Sequence, residues 1–311
     1  MAWLKGISPA ALGAVLLVSG ISIFGFTDNL TLLVSDQVGV GQFHFSRSLF
    51  ALLLVALLGR TFGLSVIPQY WKPVLARTSF MVTAMLLYFS VMPMMPIAEA
   101  GAGLFTSPIF VLFFSIIFFK ERIGWRRIVA VMLGTCGVLL VLRPCGHGFS
   151  IYQLVPVMAG ACYAMGSIIT YRYLREESSL AILMSFIVSI GLCGALVASI
   201  FTLFPVSPEL LQQAPFVFRG WQRVDGHFWL WMALIAVGAS IALSLMTRAY
   251  QITKTSYAAI YEYVYLLSVG FFGWLFWDIV PGMISILGII LIIVAGAIIV
   301  LAQRGNPDVS N

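Results

Sequence analysis

Long apolar segments, separated by short polar loops, follow one another along almost the whole chain. A membrane-spanning helix needs ~20 mainly apolar residues. Ten segments meet or approach that length: 9–33, 40–59, 73–93, 97–119, 125–142, 150–171, 179–204, 227–247, 255–277 and 281–302. They lack the roughly ten-residue stretches of alternating apolar and polar positions that are typical of outer-membrane strands. The pattern predicts an all-α integral membrane protein with ten transmembrane helices.

The ten segments divide into two runs of five near residue 146. A constant offset places Glu121 of the first run over Asp278 of the second, each just after an aromatic-rich span. Because each run holds an odd number of spans, its two copies enter the membrane in opposite directions. We therefore expect two inverted five-helix repeats, residues 1–145 and 146–311, which is the arrangement that many secondary transporters build around a central site.

Basic residues indicate the orientation, because cytoplasmic loops are enriched in Lys and Arg. With both termini inside, three basic residues lie in outer loops, namely Arg143, Arg219 and Arg223. The inner loops and tails then hold Lys5, Arg60, Lys72, Arg77, Lys120, Arg122, Arg126, Arg127, Arg172, Arg175, Arg248, Lys254 and Arg304. The opposite orientation would reverse this bias, so both termini are predicted to be cytoplasmic and the chain to lie in the inner membrane.

The composition agrees with a membrane location and argues against several function classes. The 311 residues are 61% hydrophobic and 9% charged, against ~25% charged in soluble domains. The net charge of +6 reflects the short inner loops, so we expect no nucleic-acid partner. The four cysteines form no CxxC pair, and the sequence lacks metal-ligand clusters, phosphate-binding loops and GxSxG motifs. We therefore expect no metal, no cofactor, no enzyme activity and no ATP-driven step.

Three motifs resemble those of a known family. They are FHFSRSLFALLLV from Phe43, IAEAGAGLFTSPIFVLFFSIIFFKER from Ile97 and TSYAAIYEYVYLLSVGFFGWLFWD from Thr255. Over essentially its whole length the chain resembles the drug/metabolite transporter superfamily, in its EamA-like branch of ten-helix carriers. It differs at Asp278 and Ile279, where many relatives carry Glu-Arg. The resemblance implies transport of a small metabolite such as an amino acid or a related amine.

Charged residues near the ends of the first two spans are candidate binding residues. A charge at the centre of a spanning helix costs ~2.5–3.5 kcal/mol on insertion scales, so each one needs a reason. Asp28 and Arg47 lie at similar depth, and His44 is one helical turn from Arg47. Asp28 either neutralises Arg47 and pins two helices together, or the three residues form a polar gate or an anchor for a substrate carboxylate.

Glu262 in the ninth span is the strongest functional signal. If the span is an uninterrupted helix, one side carries Tyr257, Tyr261, Glu262, Tyr265 and Ser268, and the other is apolar except for Tyr263. One interpretation is an aromatic packing face with a neutral carboxyl group. The other is a cavity wall, where tyrosine rings attract a cation and the carboxylate pairs with an amine or carries a coupling proton.

Three residues of the fourth span and one of the sixth complete the candidate site. Pro108 is predicted to kink the fourth span, and Gly101 and Gly103 precede it, so that a hinge or gate is expected there. Tyr163 is a polar residue near the middle of the sixth span. It is a further candidate substrate-binding residue, and the sequence leaves the direction it faces open.

These observations favour a secondary transporter that moves a small polar or amphipathic metabolite across the inner membrane by alternating access. An amino acid or an organic amine or cation is the favoured substrate, protons are a candidate coupling ion, and membrane lipid surrounds the helices. The alternatives are a passive solute channel and an exporter of drugs or toxic metabolites of the same family. The residues are compatible with import and export and with any oligomeric state.

Overall fold

The structure is a computed structural model that describes residues 9–91, 101, 103–104, 106–121, 123–142, 152, 154–254, 258, 260–277 and 282–304. Within these ranges it is all-α. The helices of eleven residues or more are α1 (Pro9–Thr31), α2 (Val40–Phe62), α3 (Trp71–Val91), α4 (Ser107–Ile117), α5 (Trp125–Leu142), α6 (Leu154–Tyr173), α7 (Ser179–Leu203), α8 (Gly226–Ile252), α9 (Val264–Trp277) and α10 (Met283–Arg304). Each overlaps one predicted span.

Six of these helices, α1 to α3 and α6 to α8, are long and apolar enough to cross a membrane, and α4, α9 and α10 add shorter apolar stretches. The helices bury one side and expose an apolar one. In α2, for example, Ala51 and Val55 are buried while Leu53 and Leu57 are more than half exposed. An exposed leucine surface of this kind requires lipid as its solvent, so the chain forms an all-α membrane protein.

Helices of the first half of the chain pack mainly on helices of the second half. α1 packs on α8 and α9, and correspondingly α6 packs on α3 and α4. α2 packs on α7 and α5 on α10. Exchanging each helix for its counterpart in the other half, α1 for α6 and so on, leaves this set of pairs unchanged. The packing is therefore the one that a two-fold axis between the halves would produce.

The contact between α2 and α7 depends on two glycines. A Cβ atom added to Gly194 would lie 2.6 Å from the carbonyl oxygen of Gly41, and one added to Gly41 would lie 2.7 Å from the backbone nitrogen of Ala198. Any side chain at either position would push the helix backbones apart. Small residues at such crossings allow the close approach on which helix packing in membranes relies.

Two of the predicted spans are interrupted. α4 begins at Ser107, after a turn at Thr106, and α9 begins at Val264, after a turn at Glu262 and Tyr263. The offset that aligns Glu121 with Asp278 also aligns the first residues of α4 and α9. Both halves therefore break the backbone at matching positions.

Pro108 lies in the first turn of α4. This corrects the expectation that it kinks a continuous fourth helix. The first backbone N–H groups of a helix have no intrahelical acceptor, so a proline there costs no hydrogen bond. Pro108 marks the start of a helix instead of a bend within one.

Candidate functional site

A cavity lies between the two halves and encloses about 830 Å³, counting the space at its opening. Its polar lining residues are Arg77, Ser107, Tyr163, Thr170, Thr247, Tyr250, Glu262 and Tyr265. Its apolar lining residues are Ile21, Phe24, Met81, Met85, Leu104, Leu183, Phe186, Leu243 and Met246. The wall thus combines a few polar groups with a mostly apolar surface.

Glu262 is the acidic residue of this wall and is only 3% exposed. Ser107 Oγ donates a 2.9 Å hydrogen bond to its Oε2, and the Tyr250 hydroxyl donates to its Oε1. Tyr163 of α6 lines the same cavity. The two donors come from α4 and α8, so two helices converge on one carboxylate. Hydroxyl donors satisfy a buried carboxylate without neutralising it.

Tyr265 lies three residues after Glu262 and connects the cavity wall to α1. Its hydroxyl donates a hydrogen bond to Asp28 Oδ2. Asp28 is therefore held by a tyrosine of α9, and within the described residues it forms no ion pair with Arg47. The two side chains thus form no direct ion pair, and both roles predicted for Asp28, Arg47 and His44, charge neutralisation and a polar gate or carboxylate anchor, stay predictions.

Arg47 and His44 form a separate pair on α2. The Arg47 Nη2 to His44 Nδ1 distance is 3.2 Å, and the guanidinium lies 5.4 Å from the Phe43 ring centroid. Arg47 borders a second cavity of about 260 Å³. Phe186 and Leu243 line both cavities, so these two side chains separate Arg47 from the cavity that contains Glu262.

The tyrosine face predicted around Glu262 is only partly present. Tyr265 lines the cavity with Glu262, whereas Ser268 Oγ donates a 2.7 Å hydrogen bond to the Ser22 carbonyl of α1. Tyr261 is buried but is not among the lining residues. Tyr257 lies outside the described residues. The projection assumed a continuous helix, and the turn at Glu262 changes the direction of the residues on its two sides.

Tyr263 was predicted to lie on the apolar side of the ninth span, yet it is fully buried against α5. Its hydroxyl lies 3.0 Å from Thr135 Oγ1, and its ring covers Gly134, where a side chain would collide with it. This exception on the apolar side is therefore a residue that packs between helices. The turn places Tyr263 in an inter-helix contact instead.

Gly101 and Gly103 have helical backbone, are buried and precede the turn before α4. A Cβ atom on Gly103 would lie 2.6 Å from Cβ of Pro156, so the glycine lets this segment pack directly on α6. Leu104, the next residue, lines the cavity. The glycines thus support the interrupted part of the fourth span, and a gating role for them stays a prediction.

Arg77 is a cavity residue that the sequence analysis assigned to an inner boundary. It is 5% exposed, and its Nε has no hydrogen-bond partner among the described residues. Its guanidinium carbon lies 5.9 Å from the Phe186 ring centroid. Arg77, Met81 and Met85 all line the cavity, and their four-residue spacing on α3 is the signal that would have found it.

Comparisons with known proteins agree with this architecture. Residues 11–143 match the sequence model of the EamA-like transporter family. The pseudopaline exporter of Pseudomonas aeruginosa is 26% identical over 300 residues, 94% of this chain and 97% of its own length. The riboflavin transporter of Brucella anthropi is 25% identical over 68% of this chain and 70% of its own length.

Two further comparisons concern uptake and the fold. The S-adenosylmethionine uptake transporter of Rickettsia bellii is 22% identical over 67% of this chain and 65% of its own length. A solved crystal structure of a protein that is 18% identical superposes with a TM-score of 0.75, over 94% of this chain and 97% of that chain. The last similarity shows a shared fold.

Proposed function

Because the chain belongs to the EamA-like family of the drug/metabolite transporter superfamily and is a multi-pass membrane protein, we propose that it is a secondary carrier of the inner membrane. It moves a small polar or amphipathic metabolite by alternating access, and an amino acid or organic amine is the favoured class. Its relatives are named as an exporter and as uptake transporters, so the assays below test both directions.

The proposed carrier has ten spans arranged as two inverted five-helix repeats, residues 1–145 and 146–311, with both termini in the cytoplasm. Three observations support this arrangement. The main helix pairs are unchanged when each helix is exchanged for its counterpart. The backbone breaks before α4 and α9 occur at matching positions. Basic residues concentrate in the loops that this topology places inside.

The observation that carries the proposal is the hydrogen bond from Ser107 to Glu262 at the cavity wall. This bond joins the backbone interruption before α4 to the one before α9. Interrupted helices that meet near the midplane form the substrate sites of many secondary transporters, in which one half moves against the other around the site. Because residues of both halves form the site, movement of one half against the other changes the side of the membrane from which the substrate can reach it.

The wall suits an amphipathic molecule with a basic group. Glu262 provides a negative charge, the rings of Tyr163, Tyr250 and Tyr265 surround it or lie beside it, and the rest of the wall is largely apolar. Aromatic faces attract cations. Phe186 and Leu243 separate this cavity from the one at Arg47, which favours movement of the walls over a permanent pore.

Counterflow in proteoliposomes tests the carrier against the channel. Purified full-length protein is reconstituted, the vesicles are loaded with a millimolar unlabelled amino acid or polyamine, and uptake of the same labelled compound is measured in each orientation. A carrier predicts saturable uptake that the internal compound accelerates. A channel predicts uptake that rises linearly with concentration and ignores the internal compound, and that result would overturn the proposal. Protein-free vesicles are the control.

A further inference from the structure

The cavity contains one buried cation and one buried carboxylate that do not pair with each other. Arg77 and Glu262 are 5% and 3% exposed and line the same space. Among the described residues, no carboxylate lies within ion-pair distance of Arg77 and no cation lies within that distance of Glu262. Glu262 accepts hydrogen bonds from two hydroxyl groups. The Arg77 Nε has none.

Among the described residues, the other two buried arginines each have a hydrogen-bonding side-chain partner. Arg127 pairs with Glu121 at 3.3 Å, and Arg47 contacts His44. A guanidinium carries five N–H donors, has no acceptor and stays charged at any physiological pH. Leaving such a group buried without an anion is unfavourable. A buried arginine that faces a cavity without an anionic partner is therefore suited to an anion that arrives with the substrate.

The surroundings of Arg77 favour this use. The guanidinium lies against the Phe186 ring, which holds the head group by a cation–π contact. A planar guanidinium binds carboxylates through two parallel hydrogen bonds. Met81 and Met85 follow Arg77 along the same face of α3 and are buried. Two apolar side chains thus line the cavity beside Arg77, and Glu262 lines the same cavity.

We propose that Arg77 binds an anionic group of the substrate while Glu262 binds a cationic group, so that the carrier selects amphipathic zwitterions. The transported molecule carries a carboxylate or similar anion, a basic amine and an apolar body that contacts the methionine and aromatic side chains between the two charges. The inference rests on the proposed transport function and defines its substrate class. Molecules with only one of the two charges bind more weakly.

Matched ligands test the inference on the full-length protein. The set contains phenylalanine, leucine and methionine, their carboxamides, which keep only the positive charge, and their desamino acids, which keep only the negative charge. Affinity is measured by titrated thermal shift in detergent. We expect at least one zwitterion to bind about tenfold more tightly than both of its singly charged analogues, since each charge-assisted contact adds to affinity.

Variants assign each charge to its residue. Arg77→Gln is expected to bind zwitterion and carboxamide equally, with the carboxamide affinity unchanged, and Glu262→Gln is expected to bind zwitterion and desamino acid equally. Arg60→Gln, an exposed arginine at the end of α2, should retain the wild-type preference. If Arg77→Gln does not fold, Arg77→Lys keeps a charge without the planar fork and should lose about threefold or more of the preference.

The inference is overturned if Arg77→Gln, or Arg77→Lys in its place, keeps the full preference for zwitterions. It is also overturned if wild-type protein binds carboxamides as tightly as zwitterions, or binds no zwitterion of the set at millimolar concentration. The carrier function is judged separately by counterflow. Trans-stimulated transport of carboxamides and zwitterions at equal rates would retain the carrier and reject the inference. Arg77-dependent binding of zwitterions without any trans-stimulation would retain the inference about binding and reject the carrier.

Discussion

The Ser107 hydroxyl donates a 2.9 Å hydrogen bond to Glu262 Oε2, although the two residues belong to opposite halves of the chain. Ser107 is the first residue of α4, and Glu262 lies in the turn that precedes α9. The contact therefore forms where the backbones of two matching helices are interrupted. Movement of one half against the other would act directly on this bond.

Ser107→Ala removes the donor and leaves the start of α4 intact. A hydrogen bond to a charged group contributes ~1.5–3 kcal/mol to stability, so the melting temperature should fall. The KM for transport should also rise by about tenfold, because Glu262 loses a group that positions it. Ser115→Ala is the matched control, because Ser115 is buried in the same helix but does not line the cavity. Equal KM values for the two variants would contradict a role for Ser107 at the site.

Glu262→Gln keeps the shape of the side chain and removes its charge. We expect transport to fall by at least about tenfold, because a neutral amide cannot pair with a substrate amine. If Glu262 also carries a coupling proton, the residual transport should lose its dependence on pH. Initial rates across a pH series, with Glu262→Asp as the charge-retaining control, measure both effects. Wild-type rates with an unchanged pH response would exclude Glu262 from binding and coupling alike.

Gly194→Ala should weaken the packing of α7 on α2. Its Cβ would lie 2.6 Å from the Gly41 carbonyl oxygen, and overpacking of this kind costs ~1–3 kcal/mol. A lower melting temperature in detergent is the expected result. Gly270→Ala in α9 is the control, since a Cβ there meets no atom within 4 Å. Identical melting temperatures would mean that the two helices adjust without cost.

Gln42 of α2 forms hydrogen bonds with the loop between α7 and α8. Its side chain donates a 2.9 Å hydrogen bond to the Gln222 carbonyl and accepts one of 2.7 Å from the Gln222 backbone N–H. Gln42→Leu should release the loop and speed tryptic cleavage after Arg219 and Arg223 by several-fold. Gln37→Leu, at an exposed position, is the control. Cleavage at the wild-type rate would show that other contacts hold the loop.

Much of the fold could be predicted from hydropathy alone. The predicted span 125–142 coincides with α5, and the spans 40–59 and 179–204 agree with α2 and α7 within a few residues. The length of an apolar segment and the charge of a loop can be read locally from the sequence. In a membrane protein the first identifies the spans and the second indicates their orientation. The interruptions before α4 and α9 were not predicted. Thr106, Ser107 and Pro108 fit a helix start, but within one long apolar span the proline was interpreted as a kink. Around Glu262 no glycine or proline marks the turn.

The candidate site was predictable in part. Glu262, Tyr163 and Tyr265 were found because polar groups inside apolar spans are costly, and the structure brings all three to one cavity. Tyr261 and Ser268 were misplaced because a helical projection cannot represent a broken helix. Arg77 was assigned to an inner boundary by a charge rule, which takes no account of tertiary burial.

The measurement that tests alternating access most directly is the labelling of Thr247→Cys from each side of the membrane. Thr247 is 4% exposed and lines the cavity. In a background with the four native cysteines replaced, an impermeant maleimide is applied to either side of oriented vesicles, with and without a zwitterionic amino acid. The account predicts that substrate raises labelling from one side and lowers it from the other. Simultaneous rapid labelling from both sides, unaffected by substrate, would contradict the carrier and indicate a channel.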